Sequence, residues 1–373
     1  MKPVQTLRDE TLNLEARIIS AIGSVGPRNV AEISRLTGAH PETIRYKIKR
    51  QFADQGFRFR ACVDYSKLGL TLYWGRLDVT PLYRHSATRL FRSLNHSAYL
   101  IHYSKILPQG YFVALFSLPA GTASEFAKFL KSLNQRKIIS EYSLDRVLAQ
   151  RHKSMDPSFY DFGKDRWDVD WERVRILPSV PLTAEKRKAE ILADGMDMLI
   201  VKELQKDARQ HIVEIARKLK LNTKTLEYHY RTHVIREGLI PNFMVRWITD
   251  SDEPLATSTV TVRMTFKGLE DERYKTIQSV MNRLPYLWVE DLLEDGTYIA
   301  TLVVPLADFV PTVSYIDNEL QSLTRNVDMG YLSTEDSFNY TIPYHMFSKG
   351  RWRFDIRQME RAVLKELNKG LEK

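Results

Sequence analysis

Two stretches of this chain are copies of one another: Glu32–Gly56 reads EISRLTGAHPETIRYKIKRQFADQG, and Glu214–Gly238 reads EIARKLKLNTKTLEYHYRTHVIREG. They align without a gap, and six pairs of positions are identical. These pairs are Glu32/Glu214, Ile33/Ile215, Arg35/Arg217, Thr43/Thr225, Tyr46/Tyr228 and Gly56/Gly238. Each copy has a short helical pattern, a turn and a second helical pattern that stops at a glycine, which is typical of a helix-turn-helix.

A second repeated element indicates that the whole half of the chain is duplicated. Five residues recur with the same spacing: Phe162, Lys164, Arg166, Trp167 and Asp170 return as Phe347, Lys349, Arg351, Trp352 and Asp355. The distance between copies changes little from the first repeat to this one, as expected of a duplicated unit. The two tryptophans are predicted to pack against the sheets as part of a strap.

The pattern after each set of helices predicts one β-sheet unit per half. Strand, helix, strand, strand, helix and strand follow in this order, which is typical of a four-stranded antiparallel sheet with two helices on one face. The predicted fold is therefore α+β, a tandem duplication of a helix-turn-helix (winged-helix-like) domain plus a ferredoxin-like βαββαβ domain. The predicted boundaries are 1–60, 61–150, 151–190 (strap and linker, with the charged stretch Glu185–Glu190), 191–248, 249–334 and 335–373 (strap and C-terminal helix).

The composition favours an anionic partner in a reducing compartment. The net charge is +9 and the pI is about 9.3, which favours double-stranded DNA first and an anionic membrane surface second. A single cysteine, Cys62, allows no disulfide within the chain. The N-terminus carries acids where a signal peptide needs an apolar run, and no apolar stretch is long enough to span a bilayer. We expect a cytoplasmic protein without a membrane partner.

The second helix of the first copy is predicted to enter the DNA major groove. Thr43 and Arg45 lie in its first turn, where base contacts are made, and the basic residues after them would meet phosphates. Arginine can form paired hydrogen bonds to guanine. The predicted DNA-binding residues of this copy are His40, Thr43, Arg45, Tyr46, Lys47, Lys49 and Arg50.

The second copy is less basic and is expected to bind DNA more weakly. Glu227 stands where the first copy has Arg45 and would repel phosphate. Its predicted DNA-binding residues are Lys224, Thr225, Tyr228, His229 and Arg231. His229 and His233 lie four residues apart and could ligate a metal, but the sequence offers no evident third ligand, so no metal site is predicted.

Several segments resemble the Lrp/AsnC regulators, the leucine-responsive and asparagine-related "feast/famine" family. Asp197–Arg209 resembles the opening of these proteins, and Ile33–Gly56 followed by Val63–Leu70 resembles their helix-turn-helix and its link to the sheet domain. The resemblance implies DNA binding, a small-molecule effector whose site it does not identify, and assembly as dimers or larger forms. Here the two halves would form a dimer within one chain.

One departure from the family argues against an amino-acid effector of the usual kind. Family members often carry a glycine followed three residues later by aspartate in the effector-binding turn. Here Gly110 is followed at that spacing by Val113, and Gly296 by Ile299.

The predicted function is that of a transcriptional regulator with two DNA-binding helix-turn-helix units. A DNA-organising chromatin protein is one alternative. A tetrapyrrole enzyme similar to siroheme decarboxylases is another, because His102 and Tyr103 lie near the segment where those enzymes place functional histidines. The sequence has no phosphate-binding glycine loop, nucleophile elbow or His-Glu-x-x-His motif. We therefore expect no catalytic residues, no cofactor and no enzymatic activity.

Overall fold

The computed structural model describes residues 13–184, 189–246, 259–321 and 327–371, and its first half begins with a group of helices. These are α1 (Leu14–Val25), α2 (Val30–Thr37), α3 (Pro41–Tyr46), a π-helical segment (Lys47–Gln51) and α4 (Phe52–Asp54). There follow β1 (Arg58–Cys62), β2 (Leu70–Val79), α5 (Pro81–Arg84), α6 (Ala87–Ser97), β3 (Leu100–Leu107), β4 (Phe112–Pro119), α7 (Ala123–Gln135) and β5 (Ile139–His152). The repeated strap forms β6 (Tyr160–Asp161), β7 (Arg166–Trp167) and α8 (Trp171–Ile176).

The second half has the same kinds of element in nearly the same order. Its helical part contains α9 (Gly195–Lys206), α10 (Ile212–Leu219), α11 (Thr223–His229) and a π-helical segment (Tyr230–Arg236). There follow β8 (Asn242–Arg246), β9 (Thr259–Phe266), α12 (Asp271–Arg283), β10 (Leu287–Leu293), β11 (Tyr298–Pro305), α13 (Phe309–Leu320) and β12 (Val327–Asn339). The chain continues with β13 (Phe347–Ser348), β14 (Arg351–Trp352) and α14 (Ile356–Leu371). Residues 185–188 of the predicted linker lie outside the described residues.

The eight long strands form one closed antiparallel barrel. Its order is β10-β11-β9-β12-β3-β4-β2-β5, so four neighbouring strands come from each half. The mixed helix and strand content agrees with the sequence prediction, and the strands of the two halves join in a single barrel, which the sequence did not predict. At the two junctions, β5 pairs with β10 and β12 pairs with β3. Edge strands carry unpaired backbone groups, and pairing across the two halves satisfies them.

A second pairing joins the helical parts of the two halves. Strands β1 and β8 run antiparallel, with Arg58 opposite Arg246 and Cys62 opposite Asn242. Gly56 and Gly238 end the preceding helices with positive φ angles of 80° and 66°, as the sequence predicts for these positions. The π-helical segments were not predicted, because the spacing of apolar residues in the sequence does not reveal their wider turn.

The apolar side chains form three clusters on different sides of the barrel wall. Helices α6, α7 and α14 cover the outer face of the first four strands, and α12 and α13 cover that of the second four. A third, smaller cluster lies inside the barrel. Its buried members are Trp74, Ile101, Ile106, Val113, Leu115, Val147, Leu293 and Ile299. In the described part of the chain, no helix is long and apolar enough to cross a membrane.

The repeated tryptophans pack against the protein core, as the sequence predicts. The ring of Trp167 lies edge-on to Tyr286, with centroids 5.1 Å apart. Trp352 Nε1 donates a hydrogen bond of 2.6 Å to the carbonyl oxygen of Leu68. Each strap therefore packs against the other half of the chain, since Trp167 contacts Tyr286 of the second half and Trp352 contacts Leu68 of the first.

Substitution of Gly330 by alanine should destabilise the barrel. A Cβ atom at this position would lie 2.4 Å from Cγ2 of Ile106, a side chain that is almost completely buried. Overpacking of this kind costs about 1–3 kcal/mol of unfolding free energy, which urea unfolding would measure. Gly195→Ala is the control, because a Cβ there meets nothing within 4 Å. Equal stability of the two variants would contradict the packing of β12 against β3.

Candidate active site

A buried arginine stacks on a tryptophan inside the barrel. Trp74 on β2 lies opposite Leu115, and Arg263 on β9 lies opposite Thr301. The guanidinium carbon of Arg263 is 4.1 Å from the centroid of the Trp74 ring, and both side chains are more than 90% buried. Within the described residues, no carboxylate lies within ion-pair distance (4 Å) of this guanidinium. The face of the Trp74 ring stabilises the guanidinium charge at close range, and the Asp291 and Asp328 carboxyl groups act on it from farther away.

A buried carboxyl group lies in the same interior. Asp291 on β10 pairs with Gln150 on β5 at a barrel junction, and Gln150 Nε2 donates a hydrogen bond of 2.7 Å to Asp291 Oδ1. Burial raises the pKa of Asp291 to about 6, against the opposing effects of the Gln150 hydrogen bond and the Arg263 charge. This carboxyl group therefore retains a proton to higher pH than an ordinary aspartate.

Two histidines of the barrel strands are held neutral. Burial lowers the pKa of His102 to about 4, and the nearby Arg263 charge acts in the same direction. Burial likewise lowers the pKa of His152 to about 4, aided by Arg246. The ring of His102 stands edge-on to Trp74, with centroids 5.9 Å apart. Neutral imidazoles can donate or accept hydrogen bonds without adding charge.

Several polar atoms of this interior lack a hydrogen-bond partner within the described part of the chain. They are His102 Nδ1, Ser104 Oγ and His152 Nδ1, whereas the Trp74 side chain interacts with the Asp291 carboxyl group. A buried polar group without a partner costs about 1–3 kcal/mol, so proteins rarely gather several in one place without a reason. These atoms require partners from a bound molecule or from water, which identifies the interior as a candidate binding site.

The first predicted DNA-binding helix keeps most of its side chains on the surface. His40, Thr43, Arg45, Tyr46, Lys49 and Arg50 are exposed. Arg45 forms an ion pair with Glu42. Lys47 is different, because its Nζ lies 2.6 Å from Glu15 Oε1 and its side chain is only 13% exposed. Lys47 therefore ties this helix to α1.

The second predicted DNA-binding helix also has mostly exposed side chains and one that points into the protein. Lys224, Thr225, Tyr228 and Arg231 are exposed. His229 points inward, and its Nδ1 lies 2.9 Å from Asp197 Oδ1. The contact of these residues with DNA remains a prediction.

Sequence reasoning missed most of the barrel interior. Of its polar residues it named only His102 as a functional candidate, in the enzyme alternative. The available signal was a charged residue at a buried strand position: Arg263 within TVTVRMTF and Asp291 within LWVEDLL.

The fold is shared along nearly the whole chain with an enzyme. The crystal structure of the siroheme decarboxylase NirDL matches with a TM-score of 0.54 and 11% sequence identity, covering 97% of this chain and 100% of that chain. The same enzyme in complex with an iron-uroporphyrin III analogue matches with a TM-score of 0.53 and 12% identity, covering 96% of this chain and 100% of that chain. At these identities the likeness establishes the fold.

Regulators of the AsnC type match only part of the chain. One from Agrobacterium tumefaciens has 22% identity and a TM-score of 0.29, and it covers 40% of this chain and 94% of that chain. No protein-family model and no curated protein sequence matches. The expectation that the chain is not an enzyme is therefore corrected, because the likeness along its full length is to a decarboxylase.

Proposed function

We propose that this chain is an enzyme that removes carboxyl groups from a carboxylated tetrapyrrole inside the barrel. The observation that carries the proposal is Arg263, a buried guanidinium stacked on Trp74 without a carboxylate at ion-pair distance in the described part of the chain. A buried charge is stabilised by an opposite charge, so this position favours an anionic ligand. The fold likeness to siroheme decarboxylase supports a tetrapyrrole as the substrate class.

The polar residues around Arg263 fit a carboxylate substrate. Arg263 would bind a substrate carboxylate, an interaction that is strong in a site shielded from water. The neutral imidazoles of His102 and His152 would hydrogen-bond to further acidic groups without repelling or neutralising them.

Asp291 is the candidate proton donor of the reaction. In the proposed step, the bond between the carboxylate carbon and its neighbour breaks, CO₂ leaves, and the electron pair remains on the substrate carbon. That carbon takes a proton from the Asp291 carboxyl group, which regains one from water. A carboxyl group with a pKa of about 6 keeps part of its population protonated near neutral pH, as an acid catalyst needs.

We also propose that the two halves are tandem units, each a helix-turn-helix followed by a ferredoxin-like unit, with the boundaries predicted above. The support is the repeated order of elements and the pairing of β1 with β8, which links equivalent positions of the two halves. In this arrangement the chain is a pseudo-dimer, and the barrel interior lies where its two sheets meet.

Binding of siroheme to the purified chain tests the proposed function. We expect a saturable change in the visible absorption of siroheme under anaerobic conditions, with one site per chain. Arg146→Gln is a matched control, since this exposed arginine of β5 pairs with Glu294 outside the barrel interior, and its titration should coincide with that of the wild type. An unchanged siroheme spectrum at saturating protein concentration would contradict the proposed function.

A second candidate function is binding of double-stranded DNA by the first helix-turn-helix. Its support is the exposed basic surface formed by Arg45, Lys49 and Arg50. Such side chains release counterions from DNA phosphates, so binding weakens as salt rises.

The double substitution Lys49→Ala/Arg50→Ala should weaken this DNA binding. Two lost phosphate contacts should reduce the slope of log affinity against log salt by about 2, measured by fluorescence anisotropy on random duplex DNA. Lys128→Ala is the control, because Lys128 is an exposed lysine on α7, away from the helix-turn-helix. Identical salt slopes for wild type and double variant would exclude this surface as the DNA contact.

A further inference from the structure

Two aspartates and two histidines converge between helices α9 and α11. Asp194 and Asp197 lie at the start of α9, His229 ends α11, and His233 lies in the π-helical segment that follows. Each residue offers one ligand atom, and these four atoms all lie within 4.8 Å of one another. The sequence revealed only the two histidines, because the carboxylates are more than thirty residues earlier in the chain.

The distances among these atoms suit a small coordination sphere. His229 Nδ1 lies 2.9 Å from Asp197 Oδ1 and 3.6 Å from Asp194 Oδ2. His233 Nδ1 lies 3.1 Å from Asp197 Oδ2. Tetrahedral ligands at bond lengths of about 2.0–2.2 Å are about 3.3–3.6 Å apart. The observed spacings would need only small adjustments to enclose an ion.

Backbone hydrogen bonds hold both carboxylates in position. Asp194 Oδ1 accepts from the backbone N–H groups of Met196 and Asp197, at 2.8 and 3.0 Å. Asp197 Oδ2 accepts from the backbone N–H of Asp194, at 2.9 Å. These bonds leave Asp194 Oδ2 and Asp197 Oδ1 directed at His229. Outer hydrogen bonds of this kind orient metal ligands in known sites.

The first half of the chain places a positive charge at the equivalent position. In the aligned repeat, Lys47 stands where the second copy has His229, and Gln51 stands where it has His233. Lys47 Nζ lies 2.6 Å from Glu15 Oε1, and Gln51 Nε2 donates a hydrogen bond of 3.5 Å to the same oxygen. The first half thus supplies an ammonium group to its carboxylate from within the chain.

The second half lacks that ammonium group although its carboxylate is more deeply buried. The Asp197 side chain is 0% exposed, and its partners at ion-pair distance are the imidazoles of His229 and His233. A buried carboxylate is costly unless a positive charge compensates it. A bound cation would supply the positive charge that the lysine supplies in the first half.

We propose that Asp194, Asp197, His229 and His233 bind one divalent transition-metal ion of the zinc class. Two imidazole nitrogens together with carboxylate oxygens suit Zn²⁺ and Co²⁺, whereas Mg²⁺ and Ca²⁺ prefer oxygen ligands alone. The ion would link the start of α9 to α11, so it would fix the second helix-turn-helix in the way that the Lys47–Glu15 pair fixes the first. This proposal does not depend on the decarboxylase activity.

Metal titration of the full-length chain tests the site. The protein is treated with a chelator, dialysed and titrated with Co²⁺ at neutral pH. Zn²⁺ is then added to the cobalt-loaded protein. We expect one Co²⁺ per chain, the visible absorption bands of tetrahedral cobalt, loss of these bands when Zn²⁺ is added, and a higher melting temperature of the metal-bound protein.

The decisive variant is His229→Lys/His233→Gln, which installs the residue pair of the first half. It should fold, because the lysine can pair with Asp197 as Lys47 pairs with Glu15, and it should bind Co²⁺ more than about 100-fold more weakly than the wild type. His345→Gln, which alters the stacked pair of His96 and His345 elsewhere, should leave cobalt binding unchanged. Wild-type protein without stoichiometric cobalt binding, or a folded double variant that binds as tightly, would overturn the proposal.

Discussion

Replacement of Arg263 by glutamine should reduce siroheme affinity by about 30-fold to several thousand-fold. The guanidinium is buried inside the barrel and stacked on Trp74, where it would face a substrate carboxylate. Loss of one partner from a buried charge pair costs about 2–5 kcal/mol, which corresponds to that range of affinity. The measurement is the anaerobic siroheme titration, repeated with Arg263→Gln.

The control separates loss of binding from loss of structure. Arg146→Gln removes an exposed arginine of β5 and should bind siroheme like the wild type. The far-ultraviolet circular dichroism of Arg263→Gln should also match that of the wild type. Undiminished siroheme binding by a folded Arg263→Gln protein would mean that the barrel interior is not the substrate site.

Replacement of Asp291 by asparagine should remove a pH-dependent loss of stability. Burial raises the pKa of Asp291 to about 6 in the folded protein, whereas an unfolded aspartate titrates near 3.9. Between these values the folded state holds the proton more strongly than the unfolded state. The contribution of protonated Asp291 to the unfolding free energy is therefore fully present below about pH 4. It is lost as pH rises through about 6, by up to about 3 kcal/mol.

Urea unfolding at several pH values measures this difference directly. Relative to Asp291→Asn, the wild type should lose unfolding free energy as pH rises from about 4 to about 6, the interval between the unfolded and folded pKa values, with little further change above it. Asp271→Asn, at an exposed position at the start of α12, should follow the wild type. Parallel stability curves for wild type and Asp291→Asn would contradict the buried, proton-retaining state of this carboxyl group.

Local signals were sufficient to predict the elements of each half. Pro41 and Gly56 mark the start and the stop of a helical stretch that the structure contains as α3, the π-helical segment and α4. The predicted order of strand, helix, strand, strand, helix and strand is the order found in both halves. These features depend on residues close together in the chain, so sequence patterns record them.

The closure of the barrel could not be predicted in this way. It depends on the pairing of β5 with β10, in which Gln150 meets Asp291 across 141 residues of chain. Strand β5 also runs to His152, beyond the predicted domain boundary at residue 150, because pairing with β10 extends it. No periodicity within either strand specifies a partner so far away.

The candidate sites could not be predicted either, because their residues are far apart in the chain. Arg263 and Trp74 meet only once the barrel has closed, so their sequence positions give no hint of stacking. In the second helix-turn-helix, the spacing of His229 and His233 was visible, but Asp197 joins them only through the packing of α9 against α11.

Mass spectrometry of siroheme after anaerobic incubation with the purified chain tests the proposed decarboxylase activity most directly. We predict a product that has lost carboxyl groups as CO₂, formed by the wild type and by Arg146→Gln but not by Arg263→Gln. Recovery of intact siroheme from a wild-type protein that binds it would contradict a decarboxylase.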